Sequence, residues 1–308
     1  MSETGSSVVR EPHATLGHRS PILRVIGIAI SAWLLLAVVA GAWAGLTAPA
    51  SGTAALVQGL TVAEVLFAVA LILLGSIVEG FGWGLSLGTR WPYTRNIVTL
   101  LLRGDPEAAH RMLATMVGLI ALALAILHPV ESSFVGLGLV IVTALFGMGT
   151  LYVLAGRAPA VVHGTHGLLA YLVFLDYLVA LHLPGVSFPI YLEATGALHA
   201  VLLALFLGGM VTGQRGFGKA IEAFVRPKGA AQWIFILHGL AALLVIGTLG
   251  WMEALYPVAF VLALVQAAVG FFVFHAVNLK PRHPGALVVF HQAMVLLITS
   301  AIVLQWRF

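Results

Sequence analysis

The sequence contains no cysteine and very little charge. Asp, Glu, Lys and Arg make up 8% of its 308 residues, against 61% hydrophobic ones. The missing cysteine excludes disulfide staples, thiolate metal sites, iron–sulfur clusters and cysteine nucleophiles. The missing charge excludes more. A soluble domain carries roughly a quarter charged residues, and 15 basic plus 11 acidic side chains cannot cover a water-facing surface of this size. A soluble enzyme, a disordered chain and a secreted scaffold are set aside, and there is no soluble basic domain to bind nucleic acid. An integral membrane protein remains. What it has in excess is histidine: 12 residues, several inside apolar runs. Ionisable groups at membrane depth are costly and invite a functional explanation.

Apolar runs long enough to cross a bilayer as helices predict nine spans, at 22–46, 59–81, 107–128, 132–155, 160–183, 190–213, 230–250, 253–277 and 285–305. The first is too long in its apolar core for a cleavable signal peptide, and another hydrophobic segment follows closely. Asp105-Pro106-Glu107 marks one helix start with an N-cap, a proline at the first helical position and an acid in the first turn. Pro159 and Pro284 mark two others. Of the 15 Lys and Arg residues, only Arg307 falls on the side opposite the rest. The positive-inside rule then places residues 1–21 as a cytoplasmic tail, the basic loops in the cytoplasm and the C-terminus outside, in a cell (plasma) membrane.

The chain also repeats itself. Leu74-Gly75-Ser76-Ile77-Val78-Glu79-Gly80 is matched by Leu207-Gly208-Gly209-Met210-Val211-Thr212-Gly213. Pro159 and His166 are matched by Pro284 and His291, and His110 by His238. The duplication predicts an all-α fold of two pseudo-symmetric four-helix bundles, over 59–183 and 190–305, plus one extra N-terminal transmembrane helix at 22–46. His110, His166, His238 and His291 then lie on helices that start from the basic side, roughly 6–12 Å past each start at 1.5 Å per residue. Facing imidazoles on two helices of a bundle are what axial ligation of haem iron needs, so two haems are expected. Arg95, Arg111, Arg157, Lys280 and Arg282, near the helix starts, are placed to meet haem propionates. His163, one turn before His166, is an alternative ligand or a partner to one. His13, His18, His128, His182, His199, His275 and His283 are read as tail, helix-end or packing residues.

The two bundles differ beside the first histidine of each pair. Glu107 lies one turn before His110 on the same helix face, whereas Phe235 stands at the matching place before His238. One site therefore carries a carboxylate and a guanidinium, and the other is apolar. Such asymmetry suggests a reactive site beside one that transfers electrons or supports structure. A helix-dipole role for Glu107 is the open alternative. A di-iron carboxylate centre needs two Glu-x-x-His motifs, and only one is present. Glu64, Glu79 and Asp176, also within spans, read as proton-handling groups or helix-pairing contacts.

These motifs resemble the haem A synthase family. Glu107-Ala108-Ala109-His110-Arg111-Met112-Leu113-Ala114 resembles its Glu-x-x-His-Arg-x-x-Ala helix, and Pro159 through Ala170 its next histidine helix. Gln266-x3-Gly270 with Pro284-x6-His291-Gln292 resembles its last helix pair. Leu74-Gly75 through Gly84-Leu85-Ser86, then Trp91-Pro92, resembles its first helix and loop. The resemblance implies a membrane oxidoreductase that oxidises a methyl group of haem O to the formyl group of haem A, with electrons from an external donor. It further implies that His110 and His166 flank the substrate haem with Glu107 as the catalytic carboxylate, while His238 and His291 hold a haem b. The chain departs from the family in lacking a first-loop cysteine pair, in having Gly239 where an arginine is common, and in its extra span. Its loop charges also place the haem-site face in the cytoplasm, where the family has it outside. The extra 22–46 helix offers a docking face for a haem O synthase, an oxidase or another membrane-complex partner. A non-catalytic haem b subunit of a respiratory or photosynthetic complex, and a transporter or haem-handling channel, are the alternative readings.

Overall fold

A computed structural model describes residues 21–49, 51–93 and 96–306. Most of the N-terminal tail, with His13 and His18, lies outside the described residues, as do Arg95 and Arg307. The described residues form eleven helices: α1 (Pro21–Leu46), α2 (Thr53–Gly80), α3 (Ile97–Leu102), α4 (Pro106–Leu127), α5 (Glu131–Leu154), α6 (Ala160–His182), α7 (Phe188–Ala194), α8 (Gly196–Arg215), α9 (Ala230–Trp251), α10 (Pro257–Leu279) and α11 (Ala286–Gln305). All but α3 and α7 are long and apolar enough to cross a membrane, so among the described residues there are nine candidate spans. The protein is an all-α polytopic membrane protein.

Three boundaries differ from the expected ones. The second span begins at Thr53 rather than 59, because the turn at Gly52 (φ 65°) sets the start and the residues after it are helix-compatible. Its 28 residues reach about 42 Å, beyond a hydrocarbon core of about 30 Å. The expected 190–213 span divides into α7 and α8 at Thr195 (φ −111°, ψ 77°). Phe188 and Tyr191 explain the division: both are buried, and Tyr191 meets Trp306 edge-on, with ring centroids 5.2 Å apart. α7 thus caps one end of the core and is no part of a span. Finally, α10 starts at Pro257, four residues later than expected, with proline in its first turn.

α2, α4, α5 and α6 pack in a ring, and α8, α9, α10 and α11 form a second one. The two bundles meet where α6 lies against α8 and α2 against α11, which are equivalent contacts under the repeat. Glycine makes both possible. A Cβ on Gly80 would lie 2.6 Å from the Gly285 carbonyl oxygen, and one on the matching Gly213 would lie 3.0 Å from that of Ala160. On the axis between the halves, Thr212 donates a 2.7 Å hydrogen bond to Glu79. These two residues are counterparts in the repeat, as expected of a contact at a pseudo-twofold axis. Glu79 is therefore a helix-pairing contact. Tyr171 also ties the bundles, donating to the Gln292 side chain at 2.9 Å and its carbonyl at 3.0 Å.

α1 stands outside both rings and packs on α2. Gly41 and Gly59 face each other so closely that a Cβ on either would lie under 3 Å from the other's carbonyl oxygen. This is the small-residue packing that replaces the hydrophobic effect inside lipid. Trp33 adds a 2.9 Å bond from its indole N–H to the Leu66 carbonyl.

Candidate functional site

All four histidines in repeat register sit in the same local setting. Each presses its Cε1 edge against a helical glycine of a neighbouring helix. His110 of α4 lies against Gly75 of α2, with Cε1 3.3 Å from where a Cβ would stand. His238 of α9 meets Gly208 of α8 at 3.1 Å. His166 of α6 meets Gly147 of α5 at 3.1 Å, and His291 of α11 meets Gly270 of α10 at 3.4 Å. The glycines form repeat pairs just as the histidines do.

Four residues before each glycine, a second contact recurs. His166 Nδ1 is 3.1 Å from the Thr143 carbonyl oxygen, and His238 Nδ1 is 2.9 Å from that of Ala204. A carbonyl only accepts, so in these two rings Nδ1 carries the proton and the lone pair is left on Nε2. This is how proteins orient a metal-binding imidazole. His110 faces the equivalent Leu71 carbonyl, but its buried Nδ1 makes no hydrogen bond. At His291 the equivalent residue is Gln266, whose side-chain amide donates to the His291 carbonyl at 3.1 Å and lies 3.4 Å from its Nε2.

The rings of the second pair are neighbours. The ring centroids of His238 and His291 are 6.4 Å apart, with their planes at 71°. Two metal–nitrogen bonds of about 2.0 Å, plus about 1.1 Å from each nitrogen to its ring centre, would set coaxial rings about 6.2 Å apart. The observed separation is close to that value, with the Gln266 side-chain amide 3.4 Å from His291 Nε2. Among the described residues no three His, Asp or Glu side chains gather as a metal site.

The first pair is built differently. His110 and His166 line one cavity of about 460 Å³, together with Glu107, Arg111, Tyr93 and His163. Gly84, Trp91, Pro92 and Tyr93 of the 81–93 segment line its basic-side end, and Glu107 holds that segment in place. Glu107 Oε2 accepts from Ser86 Oγ at 2.8 Å and from the Leu87 amide at 3.2 Å, while Oε1 pairs with Arg111. Arg111 in turn donates to the Arg90 and Pro92 carbonyls, and Tyr93 bonds Thr115. Asp105 caps α4 through the Ala108 amide at 2.9 Å and accepts from Ser86. Glu107 and Arg111 are therefore both cavity residues and the latch of the loop over it.

No family model, curated protein or solved structure matches this chain.

The remaining expected residues separate clearly. Arg157, Lys280 and Arg282 are exposed on the basic-side loops and do not line the first cavity. His163 lies edge-on to Phe217 at 5.6 Å, inside the first cavity. Phe217 comes from the loop after α8 and has a left-handed backbone (φ 60°), so the second bundle contributes to the first bundle's cavity. His128, His182, His199, His275 and His283 are all exposed. Sequence reasoning missed the four glycines as a set. Their signal was the conserved distance between Gly75 and Gly208 in the repeated segment, and the Thr143-x3-Gly147 counterpart of Gln266-x3-Gly270.

Proposed function

We propose that this protein is a haem-binding membrane oxidoreductase similar to haem A synthase. In this reading His110 and His166 hold the substrate haem in the first bundle, and His238 and His291 hold a haem b in the second. Haem supplies iron-centred redox chemistry when bound. The chain's own residues orient it: Nδ1 contacts to backbone carbonyls leave the Nε2 lone pair free on His166 and His238, one ring of each pair, and apolar helices exclude water. The observation that carries this reading is the 6.4 Å separation of the His238 and His291 rings. The open first cavity supports the division of labour, since a substrate must come and go while a resident group need not. Glu107 and Arg111 then stand at the polar end of the substrate site, and the methyl group of haem O is the reacting position that the resemblance implies. An external donor supplies electrons, and the exposed face of α1, with Leu35, Leu36, Val39 and Trp43, is the docking surface for a haem O synthase, an oxidase or another membrane-complex partner.

A second reading is favoured by one observation. Both oxygens of Glu107 are engaged in holding the loop, which suits a non-catalytic haem b subunit as well as an enzyme. One experiment separates them: redox spectra of the purified protein, with chromatography of extracted haems from cells making the wild type or Glu107→Gln. The enzyme reading expects haem A from the wild type and its loss in the variant with bound haem b retained. Haem b without haem A in either leaves the subunit reading standing. A protein purified without any haem sinks both.

A further inference from the structure

The first bundle contains a second cavity, end to end with the histidine one. It measures about 640 Å³, lies toward the face opposite the basic loops, and is lined by polar groups including Gln58, Thr61, Ser133, Asp176 and Tyr177. Along α6 one helical turn separates the two linings, and along α2 about two turns do. Ala68 and Val173 line the histidine cavity; Glu64 lies one turn before Ala68, and Asp176 and Tyr177 one turn after Val173. Glu64, Asp176 and Tyr177 are 0%, 1% and 3% exposed. Both oxygens of each carboxyl group and the Tyr177 hydroxyl lack a hydrogen-bond partner.

These groups converge. A Cβ on Gly136 of α5 would lie 2.6 Å from Asp176 Oδ2 and 2.6 Å from the Tyr177 hydroxyl, so glycine leaves the space into which both turn. Tyr177 also interacts electrostatically with both Glu64 and Asp176. Packing does not demand such residues here. The equivalent positions of the second bundle hold Ala197, Ala301 and Ile302, all buried. The salt bridge among the described residues, Glu107 with Arg111, is at the other end of the bundle.

A buried carboxylate without a counter-charge persists only with a proton or a cation on it. Hard cations take six or more oxygens in a shell, whereas helical carbonyls here are bonded along their own helices. We infer that Glu64, Asp176 and Tyr177 form a proton-binding site in the middle of the first bundle, filled from the polar cavity and standing between it and the histidines. A proton passes from hydronium in the cavity to a carboxylate oxygen, leaving neutral water behind. The titratable groups around the site are Glu131 and His128 in the polar cavity, and in the histidine cavity His110, His163, His166 and Tyr171, with Glu79, Tyr93, Glu107 and Arg111 farther toward its basic-side end.

Infrared spectroscopy of the detergent-purified protein at neutral pH tests this, whether or not haem is bound. The expected result is a carboxylic acid C=O band that shifts in D2O, is lost in Glu64→Gln/Asp176→Asn, moves in Gly136→Ala, and is unchanged by sodium chloride. Tryptophan-monitored melting checks that the near-isosteric carboxyl variants and the more crowded Gly136→Ala remain folded. A wild type without the band overturns the inference, as does a band that survives in the double variant. Disappearance of the band with sodium but not with choline also overturns it, and makes this a cation site. Absence of haem would sink the haem readings and leave this result intact.

Discussion

The glycine under each imidazole provides a sharp test of the haem reading. In Gly208→Ala, the new methyl carbon would lie 3.1 Å from His238 Cε1. Carbon atoms settle at about 3.5–4.0 Å, so the ring must retreat by about 0.5 Å. His238 Nδ1 is 2.9 Å from the Ala204 carbonyl, and the same retreat takes it to about 3.4 Å, outside the good N–H···O range. Loss of the partner that orients a metal-binding histidine costs about 10–100-fold in affinity, or about 1.4–2.8 kcal/mol. The fold itself suffers less. Overpacking costs about 1–3 kcal/mol, while alanine in place of helical glycine returns about 1 kcal/mol. Haem b titration of apo-protein in detergent, in a His110→Ala background that leaves the second pair, reads the affinity. Gly247→Ala is the control, because it lies on the same helix as His238 with nothing within 4 Å of a new Cβ. Wild-type affinity in Gly208→Ala would refute the reasoning, and so would an equal loss in Gly247→Ala.

Three further outcomes are expected. Glu107→Gln leaves the 9%-exposed Arg111 without its counter-charge and should cost about 3–5 kcal/mol; unfolding in detergent should show that adding Arg111→Met removes at least half of that loss, as coupled partners require. Thr212→Val deletes the donor to Glu79 on the pseudo-twofold axis and should destabilise the pairing of bundles by about 1–3 kcal/mol, read by unfolding in detergent. An alkaline phosphatase fused after the last residue should be active, and a fluorescent protein at the same place dark. The reverse pattern would refute the assignment of the basic loops to the cytoplasm.

Much of this molecule could be read along the chain. Sparse charge and long apolar runs are one-dimensional properties, and they were enough for nine spans. The repeat was equally legible, because duplicated segments keep their glycines, prolines and histidines at constant separations. The boundary missed by most, at the expected 190–213 span, depends on burial. Tyr191 and Trp306 are far apart in sequence, and their contact decides that α7 folds over the bundle end and the span starts only at Gly196.

The sequence alone determined an all-helical membrane protein with a twofold internal plan and four histidines in register. Linear periodicity suffices for that, because each helix must satisfy its own backbone in lipid. Tertiary structure decided what those histidines face. Only packing puts the His238 and His291 rings 6.4 Å apart while His110 and His166 border a cavity, since both depend on how closely glycines let four helices approach. Packing also decided the fate of the buried acids. Glu79 pairs with Thr212 across the axis, whereas Glu64 and Asp176 meet Tyr177 without a partner. Their chemistry is the same along the chain, and the difference comes from which helix stands opposite.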